Sequence, residues 1–299
     1  MKKKEVFVGF SGGVDSFAAA FLLKEVGYHV TAVHLILHDP SPQKTEKQLH
    51  ALAESLDIPL ITKDLRKRFR DTIITPFAKS YLSGKTPNPC VWCNEQIKLR
   101  ALSELAGEHG VPWIATGHYA KKELDEKQQC WIIKRGRDKK KDQSYFLSFV
   151  SQEHLKKLLL PLGDQIKAEL VSKIKRGNHP VGKRSESHDI CFLQGTSLAE
   201  FITAWAKASK GGGTFVNKSG KILGTHDGFH RFTIGQRRGI GIADRTPYYV
   251  TALFPERNQV QIGKEADLYK STFRVTGCHW HLPPEGNDIS VLCQIRYRH

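Results

Sequence analysis

Apolar positions in the first half of the chain recur in two alternating rhythms. Residues 6–10 form a short continuous run, 17–26 carry a helical period, 30–37 form a second run and 49–56 a second helical period. Residues 60–62 and 113–116 extend the strand series, the latter after a helical stretch over 96–109. Strands that alternate with helices bury both sheet faces, so the pattern predicts the α/β class, a doubly wound parallel sheet over residues 1–150. A helical pattern over 152–175 ends at Gly177, residues 178–195 read as a loop, and 198–207 read as a short helix. Residues 151–209 are therefore expected to be a helical and loop segment packed on the first domain. After Lys210 the rhythm changes. Gly211, Gly212 and Gly213 open short apolar runs at 248–253, 259–262, 273–275 and 291–297, punctuated by Gly and Pro. These predict a small β-rich domain over 210–299.

A length of 299 residues agrees with two domains. The 46 Lys and Arg against 30 Asp and Glu leave a net charge of +16, a field that draws polyanions and makes nucleic acid the first candidate partner. No run reaches the roughly 18 apolar residues of a membrane span. The N-terminal Met-Lys-Lys-Lys-Glu passes straight into the first strand without an apolar signal core, so a cytoplasmic protein is expected. In that reducing compartment Cys90, Cys93, Cys130, Cys191, Cys278 and Cys293 are expected to be thiols, metal ligands or catalysts rather than a disulfide framework.

Ser11-Gly12-Gly13-Val14-Asp15-Ser16 stands between the first strand and the first helix. Glycines at such a turn let the backbone approach a phosphate, successive N–H groups line the concavity, and the helix turns its positive end to the anion. The lysine of an ordinary P-loop is missing.

This hexapeptide resembles the pyrophosphatase-loop signature of ATPases that adenylate a carbonyl or amide oxygen. Further segments extend the likeness: residues 84–94 (Gly-Lys-Thr-Pro-Asn-Pro through Cys93-Asn94), 115–119 (Ala-Thr-Gly-His-Tyr), 141–147 (Lys-Asp-Gln-Ser-Tyr-Phe-Leu), 185–192 (Ser-Glu-Ser-His-Asp-Ile-Cys-Phe) and 232–239 (Phe-Thr-Ile-Gly-Gln-Arg-Arg-Gly). In order and over nearly the whole chain, the sequence is similar to the tRNA-specific 2-thiouridylases, the MnmA/TrmU family. The resemblance implies thiolation of a wobble uridine with ATP and Mg2+. Gly9, Phe10, Ser11 through Ser16, Leu35 and Gly117 would line the nucleotide, with Asp15 also catalytic. Asn88, Pro89 and Cys90 would meet the target base, and His118, Lys141, Asp142, Gln143, Arg296 and Tyr297 the tRNA.

The same resemblance makes Cys191 the carrier of a persulfide and Cys93 the residue that attacks or resolves it. Sulfur would come from a donor protein, a cysteine desulfurase or relay protein, or from inorganic sulfide. Both cysteines fall in loop-like segments, and a helix starting near Asn94 would favour a Cys93 thiolate through its dipole. Cys130, Cys278 and Cys293 match no motif and read as small buried hydrophobes.

Two features depart from the family pattern. Cys90 stands where relatives carry Asp, giving Cys90-Val91-Trp92-Cys93. With Cys191 this makes three thiolates, the ligand set of thiolases that hold a four-iron four-sulfur cluster, so a cluster and a cluster-free relay both remain open. The sequence also stops where relatives continue into a C-terminal β-barrel, which is expected to be absent. Three other readings stand beside the thiolase: a pyrophosphatase-loop ligase of a small acid, a non-enzymatic RNA-binding or sulfur-carrier scaffold with a degenerate ATP site, and a thiolase of another base or uracil derivative.

Overall fold

A computed structural model describes residues 4–38, 42–177, 179, 190–193, 195–206 and 212–297. The chain divides into two compact units that are not contiguous in sequence. One holds residues up to Thr72, Cys90–Glu186 and the stretch from Cys278; the other holds Ile73–Pro89 and Ser187–Gly277.

The first unit begins with β1 (Glu5–Gly9), α1 (Val14–Glu25), β2 (His29–Ile36), α2 (Pro42–Ser55), β3 (Leu60–Asp64) and β4 (Trp113–Ala115). A hairpin of β5 (Ala120–Asp125) and β6 (Cys130–Arg135) follows, and β7 (Leu158–Leu159) completes a parallel five-stranded sheet in the order β3-β2-β1-β4-β7. The alternation in β1 shows why its run is apolar throughout. Val6 and Val8 pack with Phe17, Ala18 and Ala19 of α1, whereas Phe7 packs with Leu99 and Leu102 on the other face. The chain leaves β1 toward β2 and β3 on one side and returns to β4 and β7 on the other. Beyond the carboxyl end of β1 the strand order therefore reverses, and open α/β sheets bind ligands at such a crevice.

The predicted helix over 152–175 is interrupted. Gln152–Lys157 and Lys167–Arg176 are helical, but Leu158 and Leu159 pair in parallel with Ile114 and Ala115. Pro161 follows and cannot continue a helix, so the sheet edge captures the two leucines.

The second unit contains β8 (Gly213–Val216), β9 (Ile222–His226), β10 (Tyr249–Phe254) and β11 (Gln259–Gly263), ordered β10-β11-β8-β9. Its core joins Phe215, Phe232, Ile240, Val250, Val260 and Ile262. The strands expected at 273–275 and 291–297 are not formed. Phe273, Val275, Val291 and Ile295 stay exposed, because an apolar run becomes a strand only when a partner edge completes its ladder. Cys278 and Cys293, which lie outside any strand, are exposed, and Cys130, paired with Asp125 at the start of β6, is half-buried; none is the buried hydrophobe expected. Among the described residues no helix is long and apolar enough to cross a membrane.

Candidate active site

The loop after β1 is closed by its own hydroxyls. Ser16 Oγ donates to the Gly13 carbonyl at 2.9 Å and accepts the Ser11 N–H at 3.2 Å, while Ser11 Oγ accepts the Gly13 N–H at 3.4 Å. Gly12 adopts φ 76°, a left-handed turn that a side chain would strain, and Gly13 caps α1 in an extended conformation. Phe10 is buried and donates its N–H to Val33 at 2.7 Å, fixing where the strand ends and the loop starts. Leu35 is half-buried two residues further along β2.

Gly117 closes the opposite wall. A Cβ there would lie 2.6 Å from the Asp15 carbonyl oxygen and 2.9 Å from the Ser16 nitrogen, both backbone atoms. The turn after β4 thus rests directly on the loop, and only glycine allows that approach.

Asp15 heads α1 and meets Lys167, the first residue of helix Lys167–Arg176. Lys167 Nζ donates to Oδ2 at 2.8 Å and lies 2.7 Å from Oδ1, which itself accepts no aligned hydrogen bond. Lys167 is only 9% exposed, and its own N–H is held by Asp138 at 3.1 Å. A buried ammonium beside the glycine loop is a feature the sequence reading missed. Its separation of 152 residues from Asp15 leaves no local signal.

Beyond Gly117, His118 is half-buried, its Nδ1 2.8 Å from Thr116 Oγ1. Loss of solvent around the imidazole, reinforced by the Lys98 cation, pushes its pKa down to about 3. The ring is neutral at neutral pH. Below 6.5 the unfolded chain takes up a proton that the folded chain refuses until about 3. Stability is therefore complete above that window and falls as pH drops through it, by up to about 1.4 kcal/mol per pH unit. His118→Gln should flatten this slope in melting temperatures taken between about pH 7 and about pH 5; identical slopes in both proteins would remove His118 as the cause.

Lys98 faces Cys90 as well. Burial raises the Cys90 thiol above its ordinary value, and Lys98 offsets part of that shift. Cys93 is 4% exposed. It does not precede a helix, as expected, but lies inside one: the turn Pro89–Cys93 passes into a π-helical stretch Asn94–Leu99 and then into Arg100–Glu108. Pro89 opens that turn, where its missing N–H costs nothing. Any dipole effect accordingly acts near Pro89 and Cys90, not at Cys93. Asn94 and Glu95 hold this segment in place: Asn94 Nδ2 donates to Phe146 at 2.9 Å, and Glu95 accepts from Ser151 at 3.1 Å.

The residues expected at tRNA contacts gather in the same unit. Gln143 exchanges two bonds with Tyr119, its N–H donating at 2.9 Å and its Oε1 accepting at 3.1 Å. The Asp142 carboxylate accepts from Gly136 and Ser144, each at 2.8 Å. Both side chains organise the loop that follows the hairpin. Tyr297 donates its hydroxyl to the Asp142 carbonyl at 3.2 Å, and its ring lies 4.3 Å from that of Phe146. Lys141 is half-buried and Arg296 exposed.

Cys191 belongs to the second unit. It is exposed and opens the one-turn helix Cys191–Leu193, which Phe192 anchors against Phe77 and Phe201 at ring distances of 5.4 and 5.2 Å. Residues 185–189 of its motif lie outside the described residues. Asn88 and Pro89 close the other segment of this unit.

All six cysteines are thiols. Among the described residues no three His, Cys, Asp or Glu side chains are gathered as metal ligands. Burial also disfavours ionisation of Cys90, the opposite of what a thiolate ligand needs. Cys90 and Cys93 belong to the first unit and Cys191 to the second.

A glycine turn closed on itself at the switch point of a parallel sheet, with a β-rich module in a separate unit, defines an α/β protein of two parts. Comparisons narrow the class. A family model described as tRNA methyl transferase HUP domain matches residues 4–195, and one described as tRNA methyl transferase PRC-barrel domain matches residues 199–264. The chain is 38% identical to the tRNA-specific 2-thiouridylase MnmA of Syntrophotalea carbinolica, over 100% of this chain and 86% of that one. It is 40% identical to MnmA 1 of Clostridium tetani, over 90% and 76%. With MnmA 1 of Caldanaerobacter subterraneus it shares 41%, over 98% and 84%. The chain belongs to the tRNA-specific 2-thiouridylase family.

Proposed function

We propose that the protein activates the C2 oxygen of a tRNA uridine, the wobble uridine, with ATP and replaces it by sulfur carried on Cys191 and released by Cys93. Thiolation of tRNA uridine is the activity the family name describes. The observation that carries the finer reading is the seating of Gly117 on Asp15 and Ser16. It ties the phosphate-type loop to the corner where Lys98 faces both His118 and Cys90, one helical turn from Cys93.

The loop amides and the head of α1 would orient the nucleotide, and Lys167 would offset its charge. Asp15, with one carboxylate oxygen lacking an aligned donor, would hold a Mg2+ ion, which would supply positive charge to the phosphates. The uridine oxygen attacks the α-phosphorus, pyrophosphate leaves, and C2 becomes electrophilic. The terminal sulfur of a Cys191 persulfide, supplied by a persulfide of a donor protein, attacks C2 and AMP leaves. A base–S–S–Cys191 disulfide results. The Cys93 thiolate attacks Cys191 Sγ, freeing the thiolated uridine and leaving a Cys93–Cys191 disulfide, which a dithiol reductant returns to two thiols with two electrons. An exposed Cys191 suits loading by a donor, and a buried Cys93 suits a step shielded from water. A neutral His118 suits a hydrogen bond to base or ribose, whereas phosphate pairing needs a cation.

Pyrophosphate release, measured alongside thiolated nucleoside by mass spectrometry, is expected to require tRNA. Release at the same rate without RNA would sink this reading in favour of a ligase of a small acid. Gly117→Ala should weaken ATP binding on the order of tenfold or more, since its methyl group displaces loop backbone; calorimetry showing unchanged affinity would separate the turn from the nucleotide.

A further inference from the structure

The segment Gly235-Gln236-Arg237-Arg238-Gly239 has no part in the chemistry above, yet the second unit holds it firmly. Phe232 before it and Ile240 after it are both plugs of the unit's core. Between them, the Gly235 N–H donates to Val250 at 2.8 Å and the Val250 N–H to Gln236 at 2.9 Å. The Gln236 side chain braces the turn, accepting from Thr233 at 3.1 Å and donating to the Arg238 carbonyl at 2.9 Å. Gly235 and Gly239 take φ 88° and 79°, which lets so tight a loop stand on the strand edge.

A rigid backbone here presents two flexible cations. Arg237 and Arg238 are exposed, and among the described residues neither forms an ion pair, whereas Arg231 pairs with Asp227. Both line a depression that continues over Ile240, Ile242, Pro247 and Tyr248. Asp244, the acid closest in sequence, is engaged by Lys264 at 2.6 Å, and Lys264 also lies 3.7 Å from the centre of the Tyr248 ring. The depression therefore keeps a net positive rim. Two adjacent guanidinium groups each offer a planar donor fork that matches a phosphate bidentately. Successive phosphates of a nucleic acid strand supply anions for both, and the Tyr248 ring and Pro247 beside them suit the faces of sugars.

We infer that Arg237 and Arg238 form a phosphodiester-binding site on the β-rich unit that grips the backbone of the tRNA substrate. This rests on the reading of tRNA as substrate. The arginines act on binding and do not touch the reacting atoms.

The test uses the full chain with Arg237→Ala/Arg238→Ala and Arg237→Lys/Arg238→Lys, melting temperatures reporting that both fold. Binding of unmodified tRNA is measured across a salt series. The alanine pair is expected to weaken binding on the order of tenfold or more and to flatten the logarithmic salt slope by about two, roughly one for each phosphate no longer neutralised. The lysine pair, which keeps both charges, should recover most of the slope. Wild-type affinity and slope in the alanine pair would overturn the proposal. So would unchanged tRNA binding with sulfur transfer abolished only when a donor protein, and not inorganic sulfide, supplies the sulfur; that result would assign the surface to an acidic protein partner. If the unsubstituted protein binds no tRNA, the substrate reading fails and this proposal with it.

Discussion

Alanine at Cys191 is expected to leave pyrophosphate release in place and to remove thiolated uridine from the product, a loss on the order of 10³-fold or more. The two readouts part because activation needs only the nucleotide loop and the base, whereas substitution at C2 needs a sulfur nucleophile that no other residue of that turn supplies. Cys93→Ala is expected to stop product release at a different point. Without the second thiol, the base–S–S–Cys191 adduct has no internal attacker, so tRNA should remain linked to the protein after one turnover and be freed by added dithiol. Mass spectrometry of the intact protein reads this directly. Free thiolated tRNA formed by Cys93→Ala at the parental rate would falsify the resolving role. Cys90→Ala separates the relay from a cluster. The thiol of Cys90 is held protonated by burial, so its removal should keep thiolation within about tenfold; loss comparable to that of Cys191→Ala would reinstate it as a ligand or catalyst.

The strand, glycine turn and helix that open the chain were legible because each signal is local. Val6, Phe7 and Val8 are apolar in succession since both sheet faces are covered, and Gly12 occupies the left-handed position the turn demands. What the sequence could not display is pairing at a distance. Leu158 and Leu159 carry helical periodicity and become a strand only because β4 offers an edge. Residues 273–275 and 291–297 carry strand-like composition and find no edge. The interleaving of Ile73–Pro89 with Ser187–Gly277 is invisible to any reading that proceeds in chain order. The hydrogen-bonded setting of the candidate RNA contacts was likewise not legible in residue identity. Asp142 and Gln143, expected at tRNA contacts, have side-chain oxygens that bind the protein's own N–H groups. His118, a nominal cation at mildly acid pH, is kept neutral by burial and Lys98.

Lys167 shows the same limit most sharply, and replacing it should have the second-largest effect. Lys167→Met removes the ammonium from a pair in which the lysine side chain is 11% and the Asp15 side chain 30% exposed. Stripping one partner from a buried pair costs up to about 3–5 kcal/mol, and Asp15 retains enough solvent to place the cost below that bound. The larger consequence is electrostatic. Asp15 would then present an uncompensated negative charge to the proposed triphosphate site, and ATP affinity is expected to fall on the order of a hundredfold. The double variant Asp15→Asn/Lys167→Met decides what the carboxylate is for. If its charge serves only to hold the lysine, removing both should restore stability and much of the nucleotide affinity, with a strong coupling between the two sites. If Asp15 instead carries Mg2+, stability should return while metal-dependent nucleotide binding stays abolished. Calorimetric titrations of ATP with and without Mg2+ distinguish the two outcomes. Independent, additive losses from the single substitutions would show that the 2.7 Å ion pair has no energetic weight in either property.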